Sequence, residues 1–289
     1  MPLERDGYPP GVPCWVDTAQ PDPEAAVRFY AGLFGWDFED RMPADAPGQY
    51  FVARLRGRDV AAVGSQPGGA APVATWNTYI WVASADDAAA QVKAAGGSTL
   101  TDPFDVLDSG RMGVFADPAG AVFCVWEPDQ HRGAQLVNEP NTWNWSDLNT
   151  GDPKGALAFY GAVFGWEADA ADLETMGFTF WRLPGYGDFL AMGDPDLRRR
   201  QAEAGVPPGF ADAIAAFVVP DDQAAEVGAH WSVTFVVDDT DAAADRAVEL
   251  GGRVVSPPVD TPPVRRAVLA DPQGAAFAVN TYTPATEPA

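Results

Sequence analysis

A chain of 289 residues has room for one large or two medium domains, and a hydrophobic fraction of 47% can supply a core to each. The net charge of −23 leaves nothing to neutralise phosphates, which excludes nucleic acid and anionic membrane surfaces as partners. Cys14 and Cys124 are too few for a disulfide framework or a zinc cluster, and no apolar run is long enough to span a bilayer.

The first strand is expected around Pro13–Thr18. A helix follows at Pro23–Phe34, with Asp22 as N-cap, Pro23 in the first turn and Gly35 as stop. Its apolar stripe is Val27, Tyr30, Leu33 and Phe34. Strands are expected at Gln49–Leu55 and Asp59–Val63, then at Thr78–Val82. A second helix, Asp86–Ala95, ends at Gly96-Gly97. Strands Arg111–Ala116 and Ala121–Trp126 flank an Asp117-Pro118-Ala119-Gly120 turn. A polar linker, Pro128–Pro140, then leads into a second copy of the whole pattern.

The copy is explicit. Asp22 to Trp36 returns as Asp152 to Trp166, at a constant offset of 130 (159 − 29 for the helix phenylalanines). Ala94–Gly97 returns as Glu249–Gly252, and Ala116–Ala121 as Ala270–Ala275. The offset at the late turn is 271 − 117 = 154, so about two dozen extra residues lie between Gly193 and His230. The expected domains are residues 8–130 and 138–284, with an insertion near 194–229. That insertion holds Leu197–Arg200 and an apolar run, Ala211–Val219, which reads as a lid, a docking segment or a surface elaboration. Each half divides again into strand, helix and two or three strands, giving an α+β tandem repeat of four βαβββ modules in two pseudo-symmetric domains.

Four such modules, with Phe-Tyr inside the leading helix, a Phe-Gly-Trp stop and a late Asp-Pro-x-Gly turn, resemble the vicinal oxygen chelate superfamily. That group contains glyoxalases, extradiol dioxygenases and bleomycin-binding resistance proteins. The Trp15-Val16-Asp17 and Trp145-Ser146-Asp147-Leu148 starts are most similar to its two-domain, hydroxylase-like bacterial branch, some of whose members accompany aromatic polyketide pathways. The resemblance covers Pro13–Tyr282 and implies a curved sheet around a cavity in each pair of modules. It also implies a metal held by His and Glu at positions that here are Trp15, Trp145, Asn77, Ser232, Cys124 and Ala278. None of these suits zinc, iron or nickel as a set, and the chain has only two histidines, His131 and His230. No metal and no other cofactor is therefore expected.

Strand alternation puts Trp15 with Asp17, and Trp145 with Asp147, on one face. Asp17 and Asp147 are candidate catalytic bases, with the repeat mates Arg111 and Arg265 as their expected charge partners. Trp15 and Trp145 offer flat walls. Asn77, Tyr79, Cys124, Ser232 and His230 complete the candidate ligand-binding set. The function expected is a metal-independent enzyme, a lyase, isomerase or hydroxylase-like tailoring enzyme, acting on a bulky aromatic or polyketide-like molecule. The alternatives are a non-catalytic protein that sequesters a drug or metabolite, and a metal-dependent glyoxalase or dioxygenase with atypical ligands. The partner is a small aromatic molecule, with a homodimer left open. The opening Met1–Gly7 lacks the basic and apolar regions of a secretory signal, so a cytoplasmic location is expected.

Overall fold

The protein is described by a computed structural model covering residues 7–66, 74–203, 206–207, 209–219 and 228–283. Residue 284 of the second expected domain, and 204–205, 208 and 220–227 of the insertion, lie outside the described residues.

The first module runs β1 (Pro13–Gln20), α1 (Pro23–Phe34), β2 (Asp37–Asp40), β3 (Tyr50–Leu55) and β4 (Arg58–Ser65). The second runs β5 (Thr75–Trp81), α2 (Ala85–Ala94), β6 (Ser98–Val106), β7 (Gly110–Ala116) and β8 (Val122–Pro128). The third has β9 (Trp143–Asn149), α3 (Pro153–Phe164), α4 (Ala170–Met176), β10 (Phe178–Arg182), α5 (Tyr186–Gly193), α6 (Leu197–Glu203) and β11 (Ala213–Val218). The fourth has β12 (His230–Val236), α7 (Thr240–Glu249), β13 (Arg253–Thr261), β14 (Val264–Ala270) and β15 (Ala276–Tyr282). These strands form an eight-stranded and a seven-stranded sheet. The apolar run read from sequence as part of the insertion supplies β11. It pairs in parallel with β9 at Ala216↔Asp147, as β4 pairs with β1 at Ala62↔Asp17. The additional helices α5 and α6 therefore sit inside the third module, between β10 and β11.

The leading helices form as their sequence dictates. Asp22 accepts from the Ala25 amide at 3.0 Å, and Asp152 from the Gly155 amide at 2.9 Å, each satisfying an N-terminal donor. Gly35 and Gly165 end the helices in the left-handed region, at φ 69° and 71°.

Packing groups the modules in a way that sequence order does not announce. Among the described residues, one compact unit, called outer because its modules come first and last in the chain, comprises residues 15–66, 74–77, 134–144 and 232–283, so it joins the first module to the fourth. The other, called inner for its place in the sequence, comprises the described residues of 7–14, 78–133 and 145–231, joining the second module to the third. In the outer unit the strand blocks β2-β3-β4-β1 and β12-β15-β14-β13 carry α1 and α7. Its core stacks Tyr30, Phe34, Trp36, Trp76, Phe235 and Phe277. In the inner unit the blocks β5-β8-β7-β6 and β10-β11-β9 carry α2 and α3. Its core is Phe123, Phe159, Tyr160, Trp166, Trp181 and Trp231, with Trp181 stacked on Phe217 at 4.6 Å. Burying each such ring contributes about 2–3 kcal/mol.

Both units repeat one buried hydrogen-bond chain. In the outer unit Trp76 Nε1 donates to the Tyr30 hydroxyl at 3.1 Å, which donates to Asp271 Oδ2 at 3.0 Å. In the inner unit Trp231 donates to Tyr160 at 2.9 Å, and Tyr160 to Asp117 at 3.1 Å. Burial, reinforced by the neighbouring carboxylate, pushes both phenols well above their ordinary range, so both remain protonated. The late-turn aspartates are thus more than turn residues. Each one satisfies the tyrosine of a helix that belongs to another module.

Candidate functional site

β1 is buried along nearly its whole length, and its two faces serve different ends. Thr18 and Gln20 point to the helix side, where Gln20 Nε2 donates to Thr18 Oγ1 and to Asp271 Oδ2, both at 2.7 Å. Trp15 and Asp17 take the opposite face, as alternation requires. Asp17 is 5% exposed, and among the partners of its carboxylate are two neutral donors. Asn77 Nδ2 reaches Oδ1 at 2.8 Å, and the Tyr50 hydroxyl reaches Oδ2 at 3.0 Å. Trp15 Nε1 in turn donates to the Tyr50 oxygen at 3.1 Å. Trp15, Tyr50, Asp17 and Asn77 are therefore one connected network within the outer unit.

Of the sequence-derived candidates, Trp15, Asp17 and Asn77 are brought together. Tyr50 was missed: it starts β3, far from β1 in sequence, and no local signal ties a strand-opening tyrosine to a particular carboxylate.

The arginines correct the expectation. Arg111 does not serve Asp17; its Nη1 meets Asp105 at 2.8 Å and its Nη2 meets Asp86 at 3.1 Å. Arg265 does not serve Asp147; it meets Asp241 at 2.6 Å and Asp260 at 2.9 Å. The cause is local. Asp105 lies opposite Arg111 in the β6–β7 ladder, and Asp260 opposite Arg265 in β13–β14. Asp86 and Asp241 come from the first turns of α2 and α7. A cross-strand acid a few residues away captures the guanidinium before any distant carboxylate can. These carboxylates raise both guanidinium pKa values further, so both arginines stay charged. Because the pairs are largely solvated, Arg111→Met is expected to shift the melting temperature by less than about 2 °C in 0.15 M salt. A drop beyond 5 °C in a thermal melt would contradict this exposed, local role.

In the inner unit Tyr79 lies opposite Cys124 in the parallel β5–β8 ladder, with its ring edge-on to Trp126 at 6.4 Å. Cys124 and Cys14 are buried free thiols. Cys14 donates to the Tyr79 carbonyl at 3.5 Å, and burial pushes its thiol well above the ordinary range, which makes it inert. Trp145 packs against Phe180 at 5.1 Å and Phe210 at 6.0 Å, inside a phenylalanine cluster. Asp147 is 6% exposed on β9. In the outer unit Ser232 is half-buried, and Thr234 pairs with Ala278. His230 is tied locally, with Nδ1 2.8 Å from the Gly228 carbonyl. Among the described residues no three of His, Cys, Asp and Glu gather in a group that could hold a metal ion. Nor is any described helix long and apolar enough to cross a membrane.

Comparison with known proteins follows the repeat. The family model described as Glyoxalase/Bleomycin resistance protein/Dioxygenase superfamily matches residues 15–125, and the model Glyoxalase-like domain matches 145–280. The protein named "Putative glyoxylase CFP32" of Mycobacterium tuberculosis is 38% identical over 283 residues, covering 96% of this chain and 97% of the relative. "Anthracycline biosynthesis protein DnrV" of Streptomyces peucetius is 36% identical over 285 residues, covering 94% of each. In fold, the chain is similar to the Mn(II)-bound glyoxalase from Novosphingobium aromaticivorans, with a TM-score of 0.57 and 15% identity over 96% of this chain and 85% of the other. The 2,3-dioxygenase LapB from Pseudomonas sp. KL28 gives a TM-score of 0.57 at 13% identity, covering 97% of each chain.

Proposed function

The chain belongs to the glyoxalase/bleomycin resistance protein/dioxygenase superfamily, and from that premise we propose that it is a metal-independent member that binds and acts on a planar, fused-ring aromatic molecule. The observation that carries this reading is the Trp15–Tyr50–Asp17–Asn77 network. It sets a buried carboxylate beside a phenol and an amide, on the strand face where the resemblance implies a metal. The residues present do not fit a metal. Trp15 offers only an indole N–H, which it gives to Tyr50, and Asn77 gives its amide to Asp17. Ser232 and Ala278, at the matching positions of the second repeat, add no ligand set.

A carboxylate held this way can accept a proton from an acidic hydroxyl or carbon of a bound ligand. The phenol and amide beside it can donate to the oxygen that gains charge. The relatives named for anthracycline biosynthesis support a fused-ring substrate, because an anthracycline is a planar hydroxyquinone.

The test uses 1,8-dihydroxyanthraquinone as probe, with binding read by quenching of tryptophan fluorescence. Protein purified without chelator is expected to carry no stoichiometric transition metal by elemental analysis. It should bind the probe with the same Kd before and after treatment with EDTA followed by gel filtration. A full equivalent of manganese, iron, nickel or zinc per chain, with binding lost on its removal, would overturn the reading.

A further inference from the structure

We propose that Tyr50 is the specificity-determining residue of the first repeat's site, and that it selects ligands carrying an aromatic hydroxyl beside a ring carbonyl. This rests on the reading that the Asp17 network is the ligand site, and it goes further by naming the group that is recognised and the repeat that recognises it.

The posture of Tyr50 is built into the fold. Tyr50 lies opposite Gly64 in the β3–β4 ladder. A Cβ placed on Gly64 would stand 3.0 Å from Cδ2 of the Tyr50 ring, so the missing side chain is what lets the ring lie across the strand. Trp15 Nε1 donates to the phenol oxygen, which leaves the hydroxyl proton aimed at Asp17. Trp15 and Asp17 are buried behind the network, at 2% and 5% exposure, whereas Tyr50 and Asn77 are half-exposed. An arriving ligand therefore meets Tyr50 and Asn77 first.

The second repeat lacks this arrangement at two coupled positions. There Phe178 pairs with Val218, two residues before Phe180↔Ala216, and Ala216 pairs with Asp147. In the first repeat Tyr50 pairs with Gly64, two residues before Val52↔Ala62, and Ala62 pairs with Asp17. The registers match, so Phe178 stands for Tyr50 and Val218 for Gly64. The hydroxyl and the slot that admits it change together. Asn77 likewise gives way to Ser232.

The groups that converge dictate the ligand. A phenolic hydroxyl can donate to the Asp17 carboxylate or to the Tyr50 oxygen. A neighbouring carbonyl can accept from the Asn77 amide. A ring system without the hydroxyl offers only the second contact. The negative charge of Asp17, within a chain of net charge −23, disfavours ligands that are already anionic.

The experiment compares 1,8-dihydroxyanthraquinone with anthraquinone, which has the same rings and no hydroxyls, on the full chain. Wild type is expected to prefer the dihydroxy compound by about tenfold or more. Tyr50→Phe keeps the ring, and should cost about 5–10-fold in Kd for the dihydroxy compound with little change for anthraquinone. Gly64→Ala, which displaces the ring while keeping its hydroxyl, should weaken the same preference and serves if Tyr50→Phe does not fold. An undiminished preference in the folded variants, or an equal loss for both compounds, would overturn the proposal while leaving the site reading intact. Failure of wild type to bind either compound would overturn the site reading itself, and the proposal with it.

Discussion

Asp271→Ala is expected to destabilise the protein by about 4 kcal/mol and to lower its melting temperature by about 10 °C. Asp271 is 2% exposed, and its carboxylate satisfies four donors. Oδ1 accepts from the Gln273 and Ala275 amides, each at 2.9 Å, and so closes the late turn. Oδ2 accepts from Tyr30 at 3.0 Å and from Gln20 at 2.7 Å. Removing the carboxylate leaves these donors facing apolar side chains, and each buried, unmet donor costs about 1–3 kcal/mol before relaxation. Tyr30→Phe removes one bond only and should cost about 1–2 kcal/mol.

Asp117→Ala is expected to cost less than Asp271→Ala, for two reasons. Asp117 serves the Ala119 and Ala121 amides and Tyr160, while the position matching Gln20 is Thr150. Its carboxyl is also held above the ordinary range by burial, against the pull of the turn amides and Tyr160. A carboxyl raised in the folded state contributes stability that is present below its unfolded pKa and is lost as pH rises through the folded value. The contribution therefore shrinks as pH rises. Chemical denaturation of the two alanine variants, followed by circular dichroism, checks the order. Equal losses, or a loss of less than 1 kcal/mol for Asp271→Ala, would contradict it.

Gly252→Ala should cost about 3 kcal/mol, because the added methyl has no room. A Cβ there would stand 2.6 Å from the Ala270 carbonyl oxygen, 2.9 Å from the Phe29 ring and 3.0 Å from the Ala247 carbonyl oxygen. Two of these three atoms are backbone and cannot swing aside. Gly97 is its repeat mate, and a Cβ there would meet the Ala116 carbonyl oxygen, the Phe159 ring and Val92, each at 2.8 Å. The preceding glycine behaves differently. Gly251 has φ 90°, and a Cβ would meet only Pro272, at 3.8 Å. Gly251→Ala should therefore cost only the left-handed strain, about 1 kcal/mol. Thermal melts of the two variants should separate clearly; a Gly251→Ala loss as large as that of Gly252→Ala would show that strain, not crowding, dominates this corner.

The sequence by itself determined the modules. The Asp-Pro starts, the Phe-Gly-Trp stops and the Asp-Pro-x-Gly turns are local signals, and α1 and α3 fall where their caps place them. Alternation along β1 puts Trp15 and Asp17 on one face, because a strand's side-chain period is independent of its neighbours. The edge strands β2 and β6 escaped notice: Asp37–Asp40 is short and acidic, and Ser98–Val106 is polar and broken by Pro103. Strand β11 was read as insertion because its apolar run follows two extra helices that carry no repeat signal.

Only the tertiary structure decided which modules pack together and which side chains meet. Gly97 and Gly252 read locally as helix stops, but a Cβ at either would also strike a strand carbonyl and a phenylalanine of another module. Asp117 and Asp271 read as turn residues, but each also satisfies a distant tyrosine. Arg111 and Arg265 were assigned to distant carboxylates, whereas acids across the adjacent strand hold them. Tyr50 joined Asp17 through a vacancy at Gly64, one strand away from each. Short-range rules fix an element's ends and faces, because those depend on backbone geometry a few residues long. Side-chain partners depend on register between strands far apart in the chain, and that register is set only when the cores of both units close.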